Sequence, residues 1–420
     1  MSEKNSPVKI ISMASIGALF ECYDFMICAF LSGILIKIFY ANNQVFGVFS
    51  IFTIAFFARP LGGLFWSHLG DRYGRQKVFS WTMLLLVIPT ILIAIFPVNL
   101  VSIGVSSYSF MVLRFLQGFL VGGEFPGGVT FIAEIAPPKK RGLIIAIFMA
   151  FLTAGTLLAS LVSLSLNYFL NEAQIFAWGW RLPFILNLIL IIIAIYIRRK
   201  VSETPFFNAI QHKKALSKMP ILDLLKNYPY LVFVGFIITC CSACGIVTLY
   251  TFLPQLLKIT HHFNGQQVLN LTTLGTFILC LAMPIAGIWS DRLGRQPIFI
   301  YGLIGTLISW YLFAMALYQD NYLLALIAMF ITSLFFAGVN ANYCVILSEQ
   351  FPTRVRYSGV AFCYTSAYSL CGGILPLIYL YYKNTPLLIM IPGLCFGLLL
   401  ILIIIFKGKL NDQTQKMLMN

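Results

Sequence analysis

Twelve apolar runs bounded by polar or charged residues organise the chain: Ile10–Ile38, Phe46–Ser67, Val78–Phe96, Val101–Ile135, Leu143–Leu170, Leu182–Ile197, Leu231–Leu257, Val268–Trp289, Ile298–Leu317, Leu323–Ser348, Val360–Tyr382 and Leu387–Phe406. A bilayer-spanning helix needs about 20 mostly apolar residues. The runs meet or approach that length, so the pattern predicts an all-α membrane protein with twelve transmembrane helices. Run six is the shortest, and its helix is expected to begin before Trp180. The first run is too long for a signal-peptide core and shows no cleavage site, so it reads as helix one.

The pattern also repeats. Ser67-His68-Leu69-Gly70-Asp71-Arg72-Tyr73-Gly74-Arg75 returns as Gly287-Ile288-Trp289-Ser290-Asp291-Arg292-Leu293-Gly294-Arg295, 220 residues on. Glu134-Ile135-Ala136-Pro137 with Arg141 returns as Glu349-Gln350-Phe351-Pro352 with Arg356, 215 residues on. Two unrelated segments recurring at nearly one period indicate a duplicated unit of about 200 residues. The expected organisation is an N-terminal six-helix bundle over 1–197, a linker over 198–228, a C-terminal six-helix bundle over 229–410 and a tail over 411–420. Pro205 and Pro220 punctuate the basic linker, where an amphipathic interfacial helix is expected.

Composition sharpens the class. With 60% hydrophobic and 10% charged residues and a mean hydropathy of +0.90, the chain has too little polar surface for a water-soluble globule. The net charge of +15 does not point to nucleic acid, because the basic residues sit between apolar runs rather than on one face. Of the 28 Lys and Arg, 22 fall in one set of loops and tails, three in the other (Lys37, Lys258, Lys383), and three in or beside spans (Arg59, Arg114, Arg181). That bias predicts an integral protein of a bacterial inner membrane with both termini cytoplasmic. A monomer surrounded by lipid is expected. The ten Cys lie in apolar runs without zinc or haem spacing, and His68, His212, His261 and His262 form no metal motif. No cofactor and no metal are expected. An enzyme is disfavoured too, since no nucleophile motif appears and buried acid–base groups are few outside helices one and four.

Charges inside the spans are unequally shared. Glu21, Asp24, Arg59, Arg114, Glu124 and Glu134 all belong to the first copy, and the spans of the second copy contain none. Burying an ion in hydrocarbon is expensive, so such groups face a partner or a wet cavity. Glu21 and Asp24 share one face of helix one, while Arg114, Gln117, Gly118 and Gly122 lie near one face of helix four, where small residues permit close approach. Asp24 and Arg114 both fall about 20 Å from the outer ends of their helices, which predicts a direct contact. An adjacent guanidinium favours the ionised carboxylate and isolation favours the protonated one. The pair is therefore read as a proton switch, with a fixed structural ion pair as the alternative; Glu21 and Glu124 are read as further members of the proton pathway, with packing roles as the alternative. The loop residues Asp71, Arg72, Arg75, Glu134 and Arg141, with their counterparts Asp291, Arg292, Arg295, Glu349 and Arg356, suggest a latch that closes the two halves on the cytoplasmic side.

The repeated loop resembles the signature Gly-x-Leu-x-Asp-Arg-x-Gly-Arg of the major facilitator superfamily, with Ser67 for the first Gly in one copy and Trp289 for Leu in the other. Within that superfamily, Glu21-Cys22-Tyr23-Asp24-Phe25, Arg59-Pro60-Leu61-Gly62-Gly63, Gly118-Phe119-Leu120-Val121-Gly122-Gly123-Glu124, Trp178-Gly179-Trp180-Arg181-Leu182-Pro183-Phe184 and Glu203-Thr204-Pro205 resemble the metabolite:proton symporters. The resemblance implies two six-helix pseudo-repeat bundles that rock about a midplane site. It implies import of an organic acid, or of a zwitterion such as proline or betaine, with protons. Asp24 and Arg114 also resemble the proton-linked Asp and Arg of the sugar porters. Arg59 would then serve an anionic group, and the second half would supply uncharged contacts from Tyr250, Gln255, Asn340, Asn342, Tyr343, Tyr364 and Tyr368. The alternative is a proton antiporter exporting a metabolite, siderophore or drug; a channel or sensor is a third class.

Overall fold

The computed structural model describes residues 7–41, 43–98, 100–198, 220–253, 257, 263–353 and 355–381. In hydrocarbon each backbone N–H and C=O must be satisfied within the segment, which makes every long apolar run a helix. The first half comprises Pro7–Phe30 (α1), Ser32–Tyr40 (α2), Gln44–Val48 (α3), Ala55–Tyr73 (α4), Arg75–Ala94 (α5), Ile103–Ile135 (α6), Arg141–Phe169 (α7), Glu172–Ala177 (α8) and Leu182–Arg198 (α9). After the short helix Pro220–Asn227 (α10), the second half comprises Pro229–Gly245 (α11), Gly265–Leu293 (α12), Arg295–Tyr318 (α13), Tyr322–Gln350 (α14) and Arg356–Tyr381 (α15). Eight helices are long and apolar enough to cross a membrane, nine if a bent pair is one span, and Ser80–Ala94 and Gly179–Ile193 are shorter apolar helices. Eleven of the twelve expected runs are therefore helical, and the twelfth, Leu387–Phe406, lies outside the described residues.

Departures from a plain run of straight helices are local and have causes. Run one is a broken helix: α1 and α2 meet at Leu31 with a bend of 64°, where the Ser32 hydroxyl donates to the Ala29 carbonyl at 2.7 Å and competes with the helical ladder. Run six begins at Gly179, just ahead of Trp180, as a 3-10 turn over Gly179–Arg181 that leads into α9, whose first turn contains Pro183. Two wide π turns, Phe49–Ile54 and Ile246–Phe252, interrupt the second and seventh spans. Of the linker only α10 is described, so the rest of the expected interfacial helix lies outside the described residues.

The duplicated loop is duplicated in backbone. Asp71 and Arg72 still belong to α4, as Asp291 and Arg292 belong to α12, and each helix stops at a glycine in the left-handed half of conformational space: Gly74 at φ 112° and Gly294 at φ 97°. Side chains rarely tolerate that φ, so the repeated Gly of the motif is a stop that lets the next helix begin one residue later. Within the first half, α4 crosses α6 closely: a side chain at Gly118 would meet the carbonyl oxygen of Ala55 and one at Gly122 that of Arg59. Between the halves, α7 packs on α12 and α4 on α15, and one contiguous apolar core runs through both.

Candidate functional site

Asp24 sits on α1 with no exposed surface, one residue past the face that reaches the interior cavity. Three neighbouring helices supply donors to its carboxylate. The Thr90 hydroxyl on α5 donates to Oδ1 at 2.7 Å, Gln117 Nε2 on α6 donates to Oδ2 at 3.1 Å, and Asn187 Nδ2 on α9 donates to Oδ1. A buried charge is tolerable only with such partners.

The direct contact expected between Asp24 and Arg114 is not formed. Arg114 Nη1 donates to Gln117 Oε1 at 2.9 Å, so the Gln117 amide bridges acid and base. The reason lies in the main chain. At the π turn of the second span, the Ala55 N–H bonds to the Phe52 carbonyl instead of the Ile51 carbonyl. The freed Ile51 oxygen accepts from both Arg114 Nη2 (2.8 Å) and Nε (3.2 Å). Arg114 is 1% exposed, and its charge is held by a carbonyl and an amide oxygen.

Beside this network lies a cavity of about 50 Å³ between the halves, room for a few waters. Glu21, Cys22, Phe25 and Met26 of α1, Arg59 of α4, and Asn340, Tyr364 and Tyr368 of the second half are among its walls. Arg59 is 4% exposed and donates through Nη1 to the Tyr364 hydroxyl at 3.3 Å, while its Nε has no hydrogen-bond partner among the described residues. Its guanidinium lies over Phe25 (4.0 Å) and Phe56 (4.4 Å). Tyr364 stacks on Phe125 at 4.1 Å and leans on Tyr368 at 4.5 Å. A cation with an unused buried N–H beside aromatic faces and a carboxyl side chain can hold a small molecule carrying a carboxylate and a positive centre.

The expected substrate residues divide. Arg59, Asn340, Tyr364 and Tyr368 face the cavity. Tyr250 does not: its hydroxyl donates to Ser333 at 2.9 Å and its ring packs on Phe336. Asn342 donates back to the Gly338 carbonyl one turn earlier at 2.8 Å, and Tyr343 is fully buried outside the cavity wall. Gln255 lies outside the described residues. Of the acids, Glu21 lines the cavity, whereas Glu124 is fully buried on α6 behind Phe125 and Val121, which do line it.

At the end bearing the repeated loops, here termed the basic end, charges of one half grip the other. Asp291 accepts from the backbone N–H groups of Gly142 (2.9 Å) and Leu143 (2.8 Å), capping the start of α7 across the interface. Any side chain at Gly142 would collide with Asp291 and Arg295, so the close approach needs a glycine. Arg295 pairs with Asp291 at 2.5 Å and with Glu349 at 3.5 Å; Glu349 also meets Arg141 at 3.2 Å, and Arg356 meets Glu134 at 3.5 Å. Tyr357, which the sequence did not single out, donates to the Gly123 carbonyl at 2.6 Å with its ring against Gly70. Arg292 is exposed, and the side chains of Asp71, Arg72 and Arg75 lie outside the described residues. Thr90 and Asn187 were also missed, although each is a polar residue set in an apolar run.

A family model described as the Major Facilitator Superfamily matches residues 14–375 and 235–417. An ectoine/proline transporter of Corynebacterium glutamicum is 30% identical over 386 residues, covering 86% of this chain and 76% of its own. A proline/betaine transporter of Escherichia coli is 29% identical over 388 residues, covering 87% and 75%. Among solved structures, a proton:xylose symporter bound to 6-bromo-6-deoxy-D-glucose superimposes with a TM-score of 0.79 at 19% identity over 95% of both chains. A partially occluded inward-open xylose transporter from E. coli gives 0.78 at 20% identity over 95% and 97%.

Proposed function

The chain belongs to the Major Facilitator Superfamily, a family of membrane transporters rather than enzymes, and on that premise we propose that it imports a small zwitterion or organic acid together with protons. The relatives named for proline, betaine and ectoine favour the zwitterion. The observation that carries the reading is the joining of a buried carboxylate network to a cavity containing a guanidinium with an unused donor. In this reading Arg59 takes the substrate carboxylate, the Tyr364 and Tyr368 faces take the positive end, and Asn340 takes a hydrogen bond. Asp24 carries the proton. Asn187 suits both of its states: Nδ2 donates to the ionised carboxylate, and Oδ1, which has no partner among the described residues, can accept from the protonated one after an amide flip. Glu21 at the cavity wall and Glu124 behind it extend the proton route.

We assign the basic end to the cytoplasmic side of a bacterial inner membrane, with both termini there, in accord with the distribution of Lys and Arg. Its ion pairs and the cap on α7 then close the inner entrance, and alternating access opens it. The bundles are assigned to 1–197 and 229–410, joined by the linker 198–228, with a tail over 411–420; the protein works as a monomer in lipid. The test is uptake of labelled proline and glycine betaine by right-side-out vesicles under an inward proton gradient. Accumulation that collapses with a protonophore supports the reading. Equal-rate uptake without a gradient, or accumulation in inverted vesicles instead, overturns it in favour of a uniporter or an exporting antiporter.

A further inference from the structure

Phe25 stands between the two charged sites. It follows Asp24 in the chain, lines the cavity, and is 3% exposed. The Arg59 guanidinium lies 4.0 Å from its ring centroid and the Arg114 guanidinium 4.7 Å from the same centroid. Arg59 belongs to the cavity and Arg114 to the Asp24 network, and no hydrogen bond between the two groups links them among the described residues. The shared ring is their physical connection. Phe56 meets that ring edge-on at 5.1 Å and fixes its plane.

We propose that Phe25 is a positioning residue through which the charge of the Asp24 network sets the hold on Arg59 in the cavity. The proposal rests on the proton-coupled reading above. Two cations drawing on one aromatic quadrupole compete for it and repel each other across it. With Asp24 ionised, its negative charge, relayed by Gln117, balances Arg114, and Arg59 keeps its seat on the ring. Once Asp24 is protonated, Arg114 is less balanced; it leans further on Phe25 and pushes on Arg59. Arg59 is then freer to turn its unused Nε–H toward an anion. Acid therefore prepares the cavity for a carboxylate, the sign that import with a proton requires.

The titratable and charged groups facing this assembly come from several helices. Glu21, Cys22, Tyr23 and Cys28 share α1 with Asp24; Arg59 comes from α4; Arg114 and Glu124 come from α6; Cys280 of α12 lies near Cys22; Tyr364 and Tyr368 come from α15. The neighbouring parts of α5, α7, α9, α14 and the second π turn add neutral groups among the described residues: Thr90, Thr153, Thr156, Asn187, Asn340 and Thr251. A purely through-space influence of Asp24 on Arg59 would survive loss of the ring, and this separates the two accounts.

The test needs no ligand. The full-length protein in lipid nanodiscs carries 3-fluorotyrosine at position 364, the hydroxyl that Arg59 donates to, and the fluorine resonance is followed across about pH 5 to 9. The expected result is a titration in the parent protein, its absence in Asp24→Asn, an amplitude reduced about threefold or more in Phe25→Leu, and recovery in Phe25→Tyr, which keeps the ring. Phe25→Met gives the same comparison should the Leu variant not fold. An aliphatic variant that titrates with full amplitude overturns the proposal, as does a flat response in the parent or a titration that persists in Asp24→Asn. If the parent titrates as expected but proton-driven uptake of proline and betaine is absent, the symport reading fails and the link through Phe25 stands. Driven uptake with an unchanged titration in Phe25→Leu removes the link through the ring and leaves the symport reading standing.

Discussion

The two halves share their backbone devices and differ in what they bury. Each has the same glycine stop after its Asp-Arg loop, and each has a span interrupted by a π turn. Yet the interior of the first half holds Glu21, Asp24, Arg59, Arg114 and Glu124, while the second half answers with neutral groups: Ser242 bonded to Asn340, Tyr250 bonded to Ser333, and the pair Tyr364 and Tyr368. A duplicated frame has been loaded asymmetrically. Charge is hard to bury but responds to protons, whereas hydroxyls, amides and rings bury more readily and recognise shape. Coupling and recognition therefore need not be built twice.

The asymmetry is tested most severely at Asp24. The variant Asp24→Asn should lower proton-driven accumulation by roughly a hundredfold while exchange of labelled for unlabelled substrate continues; a variant that still accumulates would place coupling elsewhere. Next comes Arg59→Gln, expected to raise the half-saturation for a carboxylate-bearing substrate by roughly thirtyfold with the pH dependence of transport retained. Asp291→Asn weakens the cap on α7, and spin labels on α7 and α12 should report roughly a tenfold shift toward separation at the basic end. Replacement in the neutral half should be milder. Tyr364→Phe removes one hydrogen bond to Arg59 and is expected to change affinity about fivefold with no change in the pH profile; a shifted profile would mean that the second half shares in coupling. The smallest effect belongs to Lys37→Met. Its pair with Glu172 at 3.4 Å is more than half exposed on both sides, and transport should change less than about twofold.

Much of this was legible in the chain. Apolar runs and the twice-written loop pointed to the helices and the duplication, because bilayer thickness and backbone hydrogen bonding leave few alternatives. Asp24, Arg59 and Arg114 stood out as ions within hydrocarbon, and the latch acids and bases at Glu134, Arg141, Asp291, Arg295, Glu349 and Arg356 were found paired as their repeat suggested. What stayed hidden was where hydrogen bonds go once helices bend. The Ile51 carbonyl became an acceptor through a π turn that no residue pattern marks, and this removed Arg114 from direct contact with Asp24. Tyr250, Asn342 and Tyr343 turned away from the cavity into their own half, since helix rotation about its axis decides which polar residue meets a cavity. Thr90 and Asn187 left a faint trace as polar residues in otherwise oily segments, but only the packing of α5 and α9 against α1 gave that trace a meaning.

The mooring of Arg114 to the main chain has a thermodynamic corollary. A cation tied to an acid would be cast loose each time the acid took a proton, leaving an orphaned charge in oil and a lobe free to unravel. Anchored to a carbonyl that never titrates, it remains seated through every cycle, and neutralising Asp24 asks only for rearrangement among Thr90, Gln117 and Asn187. The transporter can thus load and unload protons without risking its fold on each one.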